Sequence, residues 1–347
     1  MATADAHAIT HLRQAGAVLI GKTNLHEFAF GTTNEESAFG PTHNPHDVTR
    51  SPGGSSGGSA VSVVAGMALA TLGTDTGGSI RIPAAACGIV GLKPTYGEVS
   101  VEGSVPLSKT LDHAGPLAQT VTDAWHVYRA LVDRPATRPL APVPVNGMQL
   151  AVPRAYFCDV LDDEVRAKFE AALDALRKAG AVIVDVDIAH ASVISAVYLP
   201  ISFGDAAAYH AATLETMPER YTTPVRQRLE VARYVLAEDY VRGLAGREAL
   251  QREVDAALLG HDALVLPTLP IPAPPLGAIT MQVGSSQQPV RVMMLRLTQL
   301  FNLTGHPAVS LPCGATSAGL PVGLQLAGVR NQTDALMRIA LAVEQTI

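Results

Sequence analysis

Two serines stand where acyl-transfer chemistry would need them. Between Pro52 and Pro83 the chain reads Gly53-Gly54-Ser55-Ser56-Gly57-Gly58-Ser59 and then, after an apolar stretch, Thr74-Asp75-Thr76-Gly77-Gly78-Ser79-Ile80-Arg81. Ser55 and Ser79 are 24 positions apart, and each follows a glycine pair. Glycine removes the side-chain barrier to close backbone approach, so each hydroxyl and its neighbouring N–H groups can face a ligand. Two such loops can place a nucleophile, a proton relay and a row of oxyanion donors around one point. Runs of Gly and Ser are also common linkers. Here an apolar run follows at once over 60–70, and Asp75, Arg81 and Pro83 make the second loop a specified sequence.

The elements that must hold these loops can be read from the same stretch. A helix is predicted over 57–68 and a strand over 69–74, leading into the second loop. A further helix is predicted over 79–87, interrupted near Pro83, a residue tolerated in a first turn. Ser79 would then lie at a helix start, where free N–H groups and the dipole favour an anion.

The residues resemble those of the amidase signature family, hydrolases of carboxylic amides built on a Lys–Ser–Ser triad. The likeness runs through Gly21-Lys22-Thr23-Asn24, then residues 37–45, 52–60 and 72–83, then Cys87-Gly88-Ile89-Val90-Gly91-Leu92-Lys93-Pro94-Thr95. It continues in 112–116, Leu266-Pro267-Thr268 and Phe301-Asn302-Leu303-Thr304-Gly305-His306-Pro307. It covers nearly the whole chain. The resemblance implies Ser79 as the acylated nucleophile and Ser55 as the bridging serine, joined to Gly54 by a cis peptide. It implies that Thr76, Gly77 and Gly78, with Ser79, offer N–H groups to the tetrahedral oxyanion. Gly54, Ser56, Asp75 and Arg81 would support them, Arg81 by holding backbone carbonyls or Asp75, and Thr74 is a lesser candidate.

The family's base is a lysine well upstream of the bridging serine. Lys22 is the only lysine before Ser55, and its Gly-Lys-Thr-Asn setting matches a segment downstream of that base. The expectation is therefore a chain lacking the family's usual N-terminal portion, with activity lowered by orders of magnitude, since serine is a weak nucleophile without a base. Lys93 reads as structural and Lys109 as a polar-loop residue. Residues 16–23 fit G-x-x-x-x-G-K-[ST], but their variable positions are Ala-Val-Leu-Ile, a strand sequence rather than a phosphate cradle. His43, His46 and Asp47 lie among prolines in an irregular loop, and His26-Glu27 lacks the second histidine of a zinc-protease helix, so no metal and no cofactor are expected.

Composition sets the frame. The 347 residues are 48% hydrophobic and only 16% charged, with a formal net charge of −6. That is a chain able to bury a large core, with no nucleic-acid footprint. No apolar run is read as a membrane span, nor residues 1–10 as a signal peptide. Three scattered cysteines (Cys87, Cys158, Cys313) suggest a reduced, cytoplasmic setting. Strands are predicted at 17–20, 149–152, 181–186, 263–266, 307–312 and 322–327. Helices are predicted at 5–15, 122–132, 162–179, 194–214, 238–259 and 333–345, with a proline-rich connection at 135–144. This alternation gives the fold class: α/β, a mixed, largely buried central β-sheet sandwiched by helices. One domain over 1–347 is expected, with 190–260 as a variable helical segment for substrate specificity. Asp205, Tyr209, Tyr221 and Arg226 are its polar candidates, and the five prolines of 267–275 a possible pocket wall.

The expected function is hydrolysis of a small-molecule amide to acid and ammonia or amine through a serine acyl-enzyme. The alternatives are a glutaminase subunit of a tRNA-dependent amidotransferase and a non-catalytic homologue. No nucleic acid or membrane partner is expected, and a homodimer stays open.

Overall fold

The computed structural model describes residues 4–134 and 136–347. Pro135, the start of the expected proline-rich connection, lies outside the described residues. Ten strands are present among those described: β1 Ala70–Asp75, β2 Val90–Lys93, β3 His113–Ala118, β4 Gln149–Pro153, β5 Val182–Val186, β6 Ala263–Pro267, β7 Thr280–Val283, β8 Ser286–Pro289, β9 Ala308–Ala315 and β10 Pro321–Ala327. Eight of them form one sheet in the order β1-β3-β2-β9-β10-β6-β4-β5, and β7 and β8 form a separate hairpin. The pairs from β1 through β6 are antiparallel, whereas β6, β4 and β5 run parallel. The sheet is therefore mixed, as expected. Strands β2, β3, β6 and β10 are buried throughout, and the apolar run of β6 has the covering that such a strand needs.

The helices are α1 His7–Gln14, α2 Gly57–Val64, α3 Arg81–Cys87, α4 Val121–Leu131, the single turn α5 Arg154–Phe157, α6 Asp163–Lys178, α7 Ile194–Thr216, α8 Thr223–Ala232, α9 Ala237–Leu258, α10 Val290–Arg296, α11 Gln299–Thr304 and α12 Thr333–Glu344. Helix α6 shows how sequence sets an element. The Asp162 carboxylate accepts from the N–H groups of Glu164 and Val165, and Val165, Phe169, Leu173 and Leu176 bury one stripe. The main core unites that stripe with Trp125, Phe157 and Phe301 and with strand residues such as Leu150, Val265 and Leu324.

Two expectations are corrected. Residues 17–20 form no strand. They have no ladder partner, and Val18 and Ile20 are 85% and 72% exposed, so β-propensity alone does not make a strand there. Helix α3 starts at Arg81 and is not interrupted at Pro83. Pro83 occupies the first turn, where its ring is tolerated, and helical bonds form on either side of it, from Ile82 N–H to Gly78 O and from Ala84 N–H to Ile80 O. Residues 191–216 are long and apolar enough to cross a membrane by length and composition. That helix instead buries Ile194, Val197, Tyr198, Ile201 and Ala206 within the fold.

Candidate active site

The two glycine loops meet at the buried edge of the sheet. The first precedes α2; the second joins β1 to α3. Their direct link is the Ser56 N–H, which donates to the Ser79 carbonyl at 3.2 Å. Ser79 is the position four residues before Pro83, whose missing N–H leaves that carbonyl without its usual helical donor. The proline expected to interrupt the helix thus leaves the carbonyl open to the first loop. The Ser56 hydroxyl completes the clip, donating to Thr74 O at 3.2 Å and accepting from Thr74 N at 3.2 Å.

Ser55 is 1% exposed and follows a cis Gly54–Ser55 peptide. Its carbonyl accepts from His26 N at 3.0 Å. Gly54 faces residues 32–34 so closely that a Cβ would stand 2.8 Å from Asn34 N and 3.0 Å from Thr33 N, which is why no larger residue fits. The Ser55 Oγ is buried without a hydrogen-bond partner among the described residues. A buried hydroxyl left this way costs about 1–3 kcal/mol, so it marks a place where a further group is called for.

Ser79 is 5% exposed, and the loop before it is held from several sides. Gly78 has φ +140°, and a Cβ there would lie 2.3 Å from Thr298 Oγ1. That hydroxyl donates to Gly77 O at 2.5 Å. Thr76 Oγ1 donates to Asp112 Oδ1 at 2.6 Å, and the same carboxylate accepts from Leu107 N and Ser108 N. With the Gly77 carbonyl fixed by Thr298 and the Thr76 side chain fixed by Asp112, the loop backbone is set before any ligand arrives, as oxyanion stabilisation requires.

Beneath the loop lies a buried charge network. Arg81 grips Asp75 in a two-pronged pair, with Nε to Oδ2 and Nη2 to Oδ1 both at 3.0 Å. Its remaining donors reach Gln325 Oε1 at 2.6 Å, Asn302 Oδ1 at 2.7 Å and Thr298 O at 3.0 Å. Asp75 also accepts from the Ile80 N–H. Burial alone would raise the Asp75 pKa, but Arg81 outweighs it and holds the carboxyl well below the usual range. Both side chains are fully enclosed, so their role is to set the loop from below. Burial likewise drives the Lys93 pKa far down, and its Nζ donates to His306 O and Pro94 O. Lys22 is exposed and Lys109 lies in a cleft wall.

A cleft of about 650 Å³ passes this edge, with Thr74, Thr76, Tyr96, Leu107, Asp112 and Tyr209 among its walls. Of the polar candidates in 190–260, Asp205 is spent on Ser108, Thr110 and Tyr240. Tyr221 bonds His210, and Arg226 lies beside Glu230. His43 and His46 each set a ring nitrogen against a backbone carbonyl, of Val48 and Cys87. The side chain that sequence reasoning missed is Tyr198: a Cβ on Gly77 would stand 2.6 Å from its hydroxyl. A single tyrosine in an apolar helix carries no local signal of that contact.

Known proteins are similar to the chain over nearly its whole length. A sequence model of the family described as Amidase matches residues 1–337. The chain belongs to the amidase family. It is 37% identical to a glutamyl-tRNA(Gln) amidotransferase subunit of Koribacter versatilis (strain Ellin345), over 99% of this chain and 78% of that protein. The same-named protein of Myxococcus xanthus (strain DK1622) is 39% identical over 98% of this chain and 76% of its own length. A crystal structure described as an amidase superposes with a TM-score of 0.93 at 40% identity, covering 98% of this chain and 77% of the other. As an amidase, the chain is a hydrolase of amide C–N bonds.

Proposed function

We propose that the chain cleaves a small-molecule carboxylic amide through an acyl-enzyme on Ser79. The Ser79 Oγ attacks the amide carbonyl carbon, its proton passes to Ser55 Oγ, and the Ser55 hydroxyl gives up its own proton towards the amide nitrogen that will leave. The tetrahedral oxyanion is received by the N–H groups of Thr76, Gly77, Gly78 and Ser79. Collapse breaks the C–N bond and the amine or ammonia leaves with a proton. Water then attacks the acyl carbon by the reverse proton path and releases the acid. The single observation that carries this reading is the joining of the two serine loops by the Ser56–Ser79 bond beside a buried, unpartnered Ser55 Oγ.

Among the described residues no base hydrogen-bonds that hydroxyl, so acylation in this chain is slow unless a base is supplied. Helices α7 to α9, within 190–260, shape the acyl pocket, as the contact between Tyr198 and Gly77 supports. The formal charge of −6 supports a reaction without nucleic acid. We place the chain in the cytoplasm, with no membrane, as a monomer or homodimer. A glutaminase role within an amidotransferase is the second reading, favoured by the names of the two relatives. Glutamine-dependent ammonia release that exceeds release from other primary amides would select it. Loss of a fluorophosphonate adduct on Ser79→Ala tests the first.

A further inference from the structure

Two guanidinium groups converge on the Phe30 carbonyl. Arg228 donates to it at 2.9 Å and Arg291 at 3.3 Å. One carboxylate, Glu36, stands among them, and it is shared by His26 Nε2 at 2.5 Å and Arg228 at 3.4 Å. Burial holds the His26 pKa down. Two fixed positive charges therefore face one negative charge, and among the described residues Arg291 has no carboxylate partner within 4 Å. Its guanidinium lies 5.7 Å from the centre of the Phe30 ring. Desolvation, with Arg228 next, lowers its pKa to about 10. A desolvated guanidinium without an anion is costly in an empty site and suits one that receives an anion.

Its position ties it to both serine loops. Arg291 and Leu295 are one turn apart on α10, and Leu295 Cδ2 would be 3.1 Å from a Cβ on Gly77. The Tyr198 hydroxyl packs on the same Gly77, and while burial raises its pKa the charge of Arg291 acts against that rise. On the other side, Phe30 belongs to the segment whose His26 N–H holds the Ser55 carbonyl.

We propose that Arg291 receives a carboxylate carried by the substrate a few bonds from the scissile amide, so that the chain selects carboxylate-bearing amides over neutral ones. This rests on the amide-hydrolase reading of the same site. The pairing uses the planar fork of Arg291, which matches two carboxylate oxygens, with the Tyr198 hydroxyl as a further donor.

The test is calorimetric titration of the whole chain with succinamate and with its uncharged methyl ester. Succinamate is expected to bind about tenfold or more tightly than the ester. In Arg291→Gln the preference should fall to near one, and Arg291→Lys should keep part of it. Equal affinities, no binding of either compound, or a preference that survives in Arg291→Gln would overturn the assignment. The ratio in the unaltered chain needs no variant to fold. Labelling of Ser79 by a fluorophosphonate runs separately: labelling without carboxylate preference sinks the Arg291 assignment alone, and preference without labelling sinks the acyl-enzyme reading alone.

Discussion

The Ser56 N–H donates to the carbonyl of Ser79 across 3.2 Å, joining the two glycine loops that flank α2 and β1. Pro83 leaves that carbonyl open, because it has no N–H to offer four residues on. Replacing Pro83 by Ala supplies a rival donor inside α3. Pro83→Ala should slow fluorophosphonate labelling of Ser79 several-fold while lowering stability by only about 0.4–1 kcal/mol, the unfolded-chain effect of losing a proline. An unchanged labelling rate would mean that the inter-loop bond does not position Ser79.

The Ser56 hydroxyl holds both backbone groups of Thr74. Ser56→Ala removes both bonds and leaves partly buried groups unpaired, at a cost of about 1–3 kcal/mol. Urea unfolding should show the midpoint falling with an unchanged slope. A midpoint equal to that of the parent would show that the clip contributes nothing.

Arg81 neutralises a carboxylate with no solvent access. Arg81→Met leaves Asp75 charged and buried, and should destabilise by about 3–5 kcal/mol. The double variant Arg81→Met, Asp75→Leu should recover much of that loss, since breaking a buried pair costs more than replacing it. Thermal melts of the three proteins decide the matter.

Glu36 carries the clearest pH signature. Burial would raise its pKa, but the bond from His26, the charge of His26 and the charge of Arg228 outweigh this and lower it to about 2 from 4.5. A lowered acid contributes stability above its unfolded value and loses it as pH falls towards its folded value. Stability should therefore drop between pH 4.5 and 2, and Glu36→Gln should remove about 2–3 kcal/mol of that drop. Denaturation curves across that range check it, and an identical pH slope in both proteins would refute the assignment.

Much of the site was legible because chemistry there is written locally. Glycine pairs, adjacent serines and Asp75 with Arg81 mark loops where backbone approaches closely. The long helices α6, α7, α9 and α12 declared themselves by length and apolar pattern. What escaped was non-local. Residues 17–20 have strand composition but no neighbour to pair with, and strands β2 and β3 are short, glycine-containing segments defined by their partners. Tyr198, Thr298 and Arg291 act on the loops only because distant helices fold onto them. Arg226 and Asp205, polar and conspicuous in the sequence, turn out to be engaged by neighbouring side chains.

The proposed mechanism makes Ser79 the nucleophile and Ser55 its relay. The most direct measurement is mass-spectrometric mapping of a fluorophosphonate adduct, with and without a small primary amine as external base. One adduct is expected, on Ser79, formed faster with the amine, slowed by Ser55→Ala and absent in Ser79→Ala. An adduct on another residue, or labelling that persists in Ser79→Ala, would contradict it.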